Sequence, residues 1–321
     1  MFVPYSQTKI QARPRSEDPE DIRVASFVTC VEGAFSSFLE KLSPDDFVLL
    51  GYADDRGVDR NGGRIGAAEA PDEIRRFLYA MTPPPESSNV PRIWDLGNLR
   101  SWSVHLLEAH ESARGVLKQL RVKGVRVLSL GGGHDWAYAD FVDLDKAHLI
   151  NLDAHLDVRP IPTSQDKAGH SGTPFRRILT NEKKSPDMIV SFVGLQRHCN
   201  AASHLRWAQG QRVHTVFLED LPNLPREQMD FLVEKLEIKV GSRPYALSID
   251  MDAFAQAVSP GVSAPQALGI DPRLAQALIQ NMGRQLRQLG IYEVNPKFDR
   301  DGASARLAAK LAHEFLFTDH S

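Results

Sequence analysis

The sequence predicts an α/β fold: one mostly parallel sheet of roughly eight strands, covered by a layer of helices on each side. Three observations carry this. Strand-like and helix-like stretches alternate along most of the chain, the pattern of βαβ units whose strands lie parallel. The strand-like stretches are continuously apolar rather than alternating, which suits strands buried on both faces. Several of them also run directly into polar side chains at their carboxyl ends, where open α/β sheets place their ligand sites.

In chain order, residues 1 to 24 are polar and proline-containing and read as an arm ahead of a single domain over 25–321. Residues 47–51 form an apolar strand. A helix follows over 72–81, with Pro71 near its start, and the prolines at 83–85 break the chain after it. A short strand is expected over 93–96, a long amphipathic helix over 104–122 ended by Gly124, and a strand over 125–130 that runs into Gly131-Gly132-Gly133-His134. Strands then fall at 149–153, 188–195, 213–218, 245–250 and 291–294. Helices fall at 175–179 behind Pro174, and at 201–209, 226–240, 272–289 and 304–317. Nothing in the composition marks a second domain.

The 321 residues are 42% hydrophobic and 25% charged, ordinary for a globular chain. A net charge of −3 without a long basic run gives no footprint for nucleic acid. Cys30 and Cys199 make no disulfide framework and neither sits in a CxxC pair, which fits a reducing cytosol. The start lacks a basic segment followed by an apolar one, and no apolar run approaches the ~18 residues of a membrane helix. A cytoplasmic protein without a membrane partner is the expectation.

The chemistry concentrates at two strand ends. Asp153, His155 and Asp157 follow one apolar run, and Asp250 and Asp252 end another. Successive side chains of a strand point to opposite faces, so Asp153, His155 and Asp157 share one face and Asp250 and Asp252 share another. Four carboxylates in one buried place are prohibitive unless cations compensate them. His134, behind its glycine turn, adds a nitrogen ligand. This thiolate-free set suits manganese first, then magnesium, cobalt, nickel or zinc. Six ligands are too many for one tetrahedral zinc and suit two metals sharing carboxylates. Taken singly, an Asp-x-His is more often a turn or cap, and an Asp-x-Asp a solvated loop. The metal reading rests on their joint placement at strand ends. Gly131-Gly132-Gly133 has neither phosphate-loop spacing and reads as a tight turn that brings His134 in. Glu293, at the end of the last strand, is either a half-buried carboxylate paired with a basic side chain or a grip for a cationic substrate group. Arg64, Arg159, Arg176 and Arg197 lie near these motifs, and one or two of them are candidates for a substrate carboxylate.

Gly131-Gly132-Gly133-His134-Asp135, Asp153-Ala154-His155-Leu156-Asp157 and Ser248-Ile249-Asp250-Met251-Asp252 together resemble the metal motifs of the ureohydrolase superfamily of arginases, agmatinases and formimidoylglutamases. The resemblance runs from about residue 45 to the C-terminus. It implies the arginase-like three-layer fold and two Mn2+ per subunit. One metal would take His134, Asp153, Asp157 and Asp250, the other Asp153, His155, Asp250 and Asp252, with Asp153 and Asp250 bridging. It further implies hydroxide attack on an amidine carbon above the metals, with Asp157 orienting the hydroxide and Glu293 gripping the substrate. It also implies a homo-oligomer, a trimer or hexamer.

Within the superfamily, 61–71, 171–176 and 260–265 look most similar to formimidoylglutamase, as does Arg159. Arginases and agmatinases carry a histidine where this chain has Ser171. His170 beside it is a catalytic candidate as a partial substitute, and Ser171 a substrate-binding one. They also carry Asp-Pro where this chain has Ala255-Gln256, which weakens an arginase reading. The expected reaction is hydrolysis of the C–N bond of N-formimidoyl-L-glutamate to glutamate and formamide, a step of histidine breakdown, with Arg64 and Arg159 as candidates for the substrate carboxylates. The alternatives are an agmatinase or guanidino-acid ureohydrolase, a deacetylase-like metal amidohydrolase, and a non-catalytic relative, the last disfavoured by the complete ligand set. Because such ligands bind metal only when deprotonated, acidification should release the metals.

Overall fold

The structure, a computed structural model, describes residues 2–5, 21–85, 91–101, 104–163, 166–223, 225–236, 238 and 243–318. Its strands are β1 (Phe2–Val3), β2 (Val28–Cys30), β3 (Phe47–Gly51), β4 (Ile93–Leu99), β5 (Arg126–Leu130), β6 (His148–Leu152), β7 (Ile189–Leu195), β8 (His214–Phe217), β9 (Tyr245–Asp250) and β10 (Leu286–Tyr292). They make one sheet in the order β1-β4-β3-β5-β10-β9-β6-β7-β8, with β2 also on β4. Every pairing is parallel except β1 on β4, which sets Phe2 against Leu99 and Val3 against Asn98.

The apolar runs explain the layers. β3, β5, β6 and β9 are buried at every position. Neighbouring residues along a strand serve opposite faces, so Leu49, Leu128 and Leu247 join one core, and Val48, Val127 and Ala246 the other. The first core is closed by Ala70–Leu78, Pro272–Met282 and Ala303–Phe317, through Ile74, Phe77, Leu274, Leu278 and Phe315. The second is closed by Leu106–Val122, Ala137–Phe141 and Pro174–Leu179, through Leu117, Phe141 and Ile178. This is the predicted three-layer α/β/α arrangement. Among the described residues no helix is long and apolar enough to cross a membrane.

The sheet has ten strands rather than roughly eight. The two extra ones, β1 and β2, are two and three residues long, too short to leave a periodic signal. The expected helix over 272–289 is wrong in its second half. It stops at Met282, where Gly283 turns the chain at φ 50, and β10 begins at Leu286. The segment from Leu286 carries good helix formers, but it pairs with β5 on one side and β9 on the other, and that pairing overrides local propensity. The expected arm falls largely outside the described residues (1 and 6–20), as does the end of the expected helix at 237 and 239–240.

Candidate metal centre

β5, β10, β9 and β6 are four consecutive neighbours at the middle of the sheet. Their registers set Leu130 beside Ile291, Tyr292 beside Asp250, and Ile249 beside Leu152. Their carboxyl ends therefore deliver the glycine loop with His134, then Glu293, Asp250 and Asp153 from one line of adjacent strand ends. Strand alternation is not what aims the ligands, contrary to the sequence expectation. β6 ends at Leu152, and Asp153–Asp157 is a turn in which Asp153 Oδ1 accepts the His155 backbone N–H at 2.7 Å. Likewise Asp252 lies in a 3-10 turn capped by Asp250, whose Oδ1 accepts the Asp252 N–H at 2.9 Å. Each aspartate thus folds its own turn so that the second ligand swings back beside the first.

The glycine loop works by space rather than by unusual dihedral angles. None of Gly131, Gly132 and Gly133 has positive φ, but a Cβ on Gly132 would stand 2.0 Å from the Asp54 carbonyl oxygen. The left-handed positions at the site are Asp157 (φ 50) and Glu293 (φ 66), non-glycine residues in a region that costs of order 1–3 kcal/mol each and is commonly kept for function.

Two ligand groups share one residue. His134, Asp153, Asp157 and Asp250 form the first, and Asp153, His155 and Asp252 the second, with the ligand atoms of each within 4.8 Å of one another. Asp153 is in both. Asp250 falls in the first group only, whereas the resemblance implied a second bridging role for it. His134 Nδ1 lies 3.2, 2.9 and 3.1 Å from oxygens of Asp153, Asp157 and Asp250. His155 Nδ1 lies 3.4 Å from Asp153 and 3.1 Å from Asp252.

The donor set fits cations better than it fits itself. His134 Nδ1 is buried, surrounded by carboxylate oxygens, and in hydrogen-bond geometry with none of them, while Asp252 Oδ1 and Glu293 Oε2 are also buried without partners. Its other nitrogen, Nε2, meets Ser248 Oγ at 2.9 Å, and its ring is stacked on Tyr292 and edged by Phe175. Those contacts fix the ring with Nδ1 aimed into the cluster, the usual arrangement of a metal-ligating histidine.

Without a cation the carboxylates repel. Burial, then the charge of Asp153, pushes Asp157 up to about 6; burial, then Asp252 and Asp153, pushes Asp250 up to about 7. Burial works to lower His134 and His155, but the surrounding carboxylates outweigh it and hold both well above the ordinary imidazole range. Groups raised on folding stabilise the metal-free fold at low pH, and that contribution is lost as pH rises through about 6 to 7. A bound cation takes the place of those protons. The gain in melting temperature on adding Mn2+ should therefore grow between about pH 5.5 and 8. Paired thermal melts check this, and a gain independent of pH contradicts the ligand assignment.

Glu293 sits beside the cluster rather than in it. Oε1 accepts the His134 backbone N–H at 2.9 Å, and the Glu293 N–H donates to Gly132 O at 2.9 Å. Burial, then the charge of Asp250, holds its carboxyl well above the ordinary range. A buried acid in that state takes up a cationic group and ionises with it.

The remaining candidates separate. Arg159 is exposed; its N–H donates to Gly172 O at 2.9 Å, and its guanidinium Nη1 donates to Asn61 Oδ1 at 2.8 Å. Ser171 is buried, with its Oγ 3.0 Å from Asn61 Nδ2. Arg64 spends its Nε and Nη2 on the carbonyls of Ser263 and Val262 and stacks over Phe298, so it pins the 262–263 loop. His170 is buried outside both ligand groups. Its Nδ1 accepts the Gly172 N–H at 3.1 Å, and burial, then Arg159, lowers it to about 4. That imidazole is neutral at pH 7, and its Nδ1 is spent on holding its own loop. Arg176 lies over Trp207, and Arg197 pairs with Asp220 at 2.9 Å. Sequence reasoning missed Ser248 and Tyr292, which orient His134, and Asn61. Ser248 lies two residues before Asp250 on β9, and Tyr292 ends β10 directly before Glu293; those positions next to site carboxylates could have pointed to them.

The model of the arginase family matches residues 45–318. A formimidoylglutamase of Salmonella arizonae is 33% identical over 97% of this chain and 96% of its own length. One of Staphylococcus aureus is 32% identical over 93% of this chain and 94% of its own. Among solved structures, Trypanosoma cruzi formiminoglutamase with Mn2+ superposes with a TM-score of 0.73 at 26% identity, covering 86% of this chain and 94% of that one.

Proposed function

The chain belongs to the arginase family of hydrolases, which act on the C–N bonds of amidines, and from that premise we propose that it hydrolyses N-formimidoyl-L-glutamate to glutamate and formamide with two Mn2+ per subunit. The observation that carries the metal half is the shared carboxylate: Asp153 belongs to both ligand groups, to which the first adds His134, Asp157 and Asp250 and the second His155 and Asp252. The names of the relatives above support the substrate half. Ser171 in place of the histidine of arginases and agmatinases, and Ala255-Gln256 in place of their Asp-Pro, speak against arginine and agmatine.

His134, Asp153, Asp157 and Asp250 would hold one ion, and Asp153, His155 and Asp252 the other. The pair supplies Lewis acidity and a water acidified enough to attack at neutral pH. The chain does the rest. Glu293 receives the formimidoyl amidinium, its Oε2 being the buried oxygen without a partner. Asp157, whose Oδ2 stands 2.9 Å from His134 Nδ1, orients the attacking water and takes up its proton. The water oxygen bonds to the formimidoyl carbon, the bond from that carbon to the glutamate nitrogen breaks, and the departing amine takes the proton, leaving formamide. Arg159 would receive a substrate carboxylate, and Arg64 holds the 262–263 loop. Residues 25–321 would act as one catalytic domain, in a homo-oligomer in the cytoplasm.

A product panel tests this reading. The manganese-loaded protein should release formamide from N-formimidoyl-L-glutamate at least ~100-fold faster than urea from agmatine, arginine or guanidino acids. Urea from a guanidino compound without formamide, or acetate from an acetylated amine, overturns it.

A further inference from the structure

Asn61 closes the first turn after the short helix Arg56–Arg60, and its backbone N–H caps that helix on Gly57 and Val58. Its side-chain amide is spent on the other side of the site. Oδ1 accepts from Arg159 Nη1 at 2.8 Å and Nδ2 donates to Ser171 Oγ at 3.0 Å. Arginine can only donate, so the orientation of the amide is forced by its partners. Around this amide the two segments are sewn together. The Ser171 N–H donates to Gly57 O at 3.0 Å, the Arg159 N–H to Gly172 O at 2.9 Å, and Arg60 pairs with Asp166 at 2.6 Å. There is no slack: a Cβ on Gly172 would stand 3.0 Å from Arg159 Cδ and 3.3 Å from Asn61 Nδ2.

Arg159 is exposed and two residues beyond the ligand Asp157, and its one hydrogen-bonded guanidinium nitrogen among the described residues goes to a neutral acceptor. Its positive charge is thereby held in place without being cancelled. We propose that Asn61 is the residue that sets substrate specificity by positioning: it holds the guanidinium of Arg159, two residues beyond the ligand Asp157, charge intact, to receive the carboxylate of an acidic amidine. This rests on the reading of Arg159 as a carboxylate contact. An aspartate at 61 would hold the same guanidinium equally well in place but neutralise it, and a purely structural hydrogen bond would not feel that difference.

The test is a mutant cycle on the manganese-loaded full chain, with the carboxylate-bearing amidine that the wild type turns over. Arg159→Ala should raise KM about tenfold or more, the loss of one charge-assisted contact. Asn61→Ala should raise KM about fivefold with kcat within about twofold and metal content unchanged, and Asn61→Asp should raise KM further than Asn61→Ala. In the Arg159→Ala background, Asn61→Ala should add less than about twofold. Asn61→Asp milder than Asn61→Ala, an unchanged KM in both, or full additivity overturns the proposal. If Arg159→Ala leaves KM unchanged, the carboxylate reading of Arg159 falls and Asn61 falls with it. If Arg159→Ala raises KM and the Asn61 variants do not, only the positioning role falls. Asn61→Asp, matched in shape, covers the case in which Asn61→Ala loosens the fold.

Discussion

Asp153→Ala should abolish activity, by at least ~10³-fold, and should empty both metal positions. Asp153 is the one side chain common to the two ligand groups. It also folds the turn that carries the others, because its Oδ1 accepts the His155 N–H. Removing it takes a ligand from each ion and frees His155 at once. Asp252→Ala is the informative partner. Asp252 belongs to the second group only, so that variant should keep one ion and lose one. Metal analysis of the purified variants reads both outcomes. Full metal content in Asp153→Ala, or the loss of both ions in Asp252→Ala, would show that the sharing is misplaced.

Glu293→Gln should lower kcat/KM by about ten- to a hundredfold, the worth of a charge-assisted hydrogen bond of ~1.5–3 kcal/mol, while leaving metal content intact. The amide is nearly isosteric and still accepts the His134 N–H that Glu293 Oε1 accepts at 2.9 Å. The loop therefore stays closed, and what is lost is the charge facing an amidinium. Steady-state kinetics with metal analysis on the same preparation separate the two effects. A variant that keeps full kcat/KM takes Glu293 out of substrate binding, and one that loses metal makes it part of the metal cluster.

The layers and the line of site residues were legible because long apolar strands announce themselves and because ligand-type residues stood at their ends. The order of the central strands was not legible. That β5, β10, β9 and β6 are neighbours depends on the last two strands returning to fill the gap between β5 and β6, a non-local fact. β10 itself was half hidden, since its first residues read as helix until flanking strands claim them. The grouping of Asp153 with His155, and of Asp250 with Asp252, was anticipated from strand alternation. The structure brings Asp153 and His155 into one group through an aspartate-capped turn, which no period of two describes, and places Asp250 and Asp252 in different groups. The arginines show the limit most clearly. Arg64, Arg159, Arg176 and Arg197 look alike as sequence, and only contacts tell that one pins a loop, one lies on Trp207 and one pairs with Asp220. Asn61 opens the 61–71 segment that carried part of the resemblance, but its contacts show only when Arg159 and Ser171 are seen on either side of it.

The central claim is that two ions share Asp153 and act together on one amidine carbon. Titrating the metal-free protein with Mn2+, while following formamide release from N-formimidoyl-L-glutamate, tests it most directly. Little activity is expected at one equivalent, and full activity at two ions per chain. Full activity at a single equivalent, or none at any loading, would contradict it.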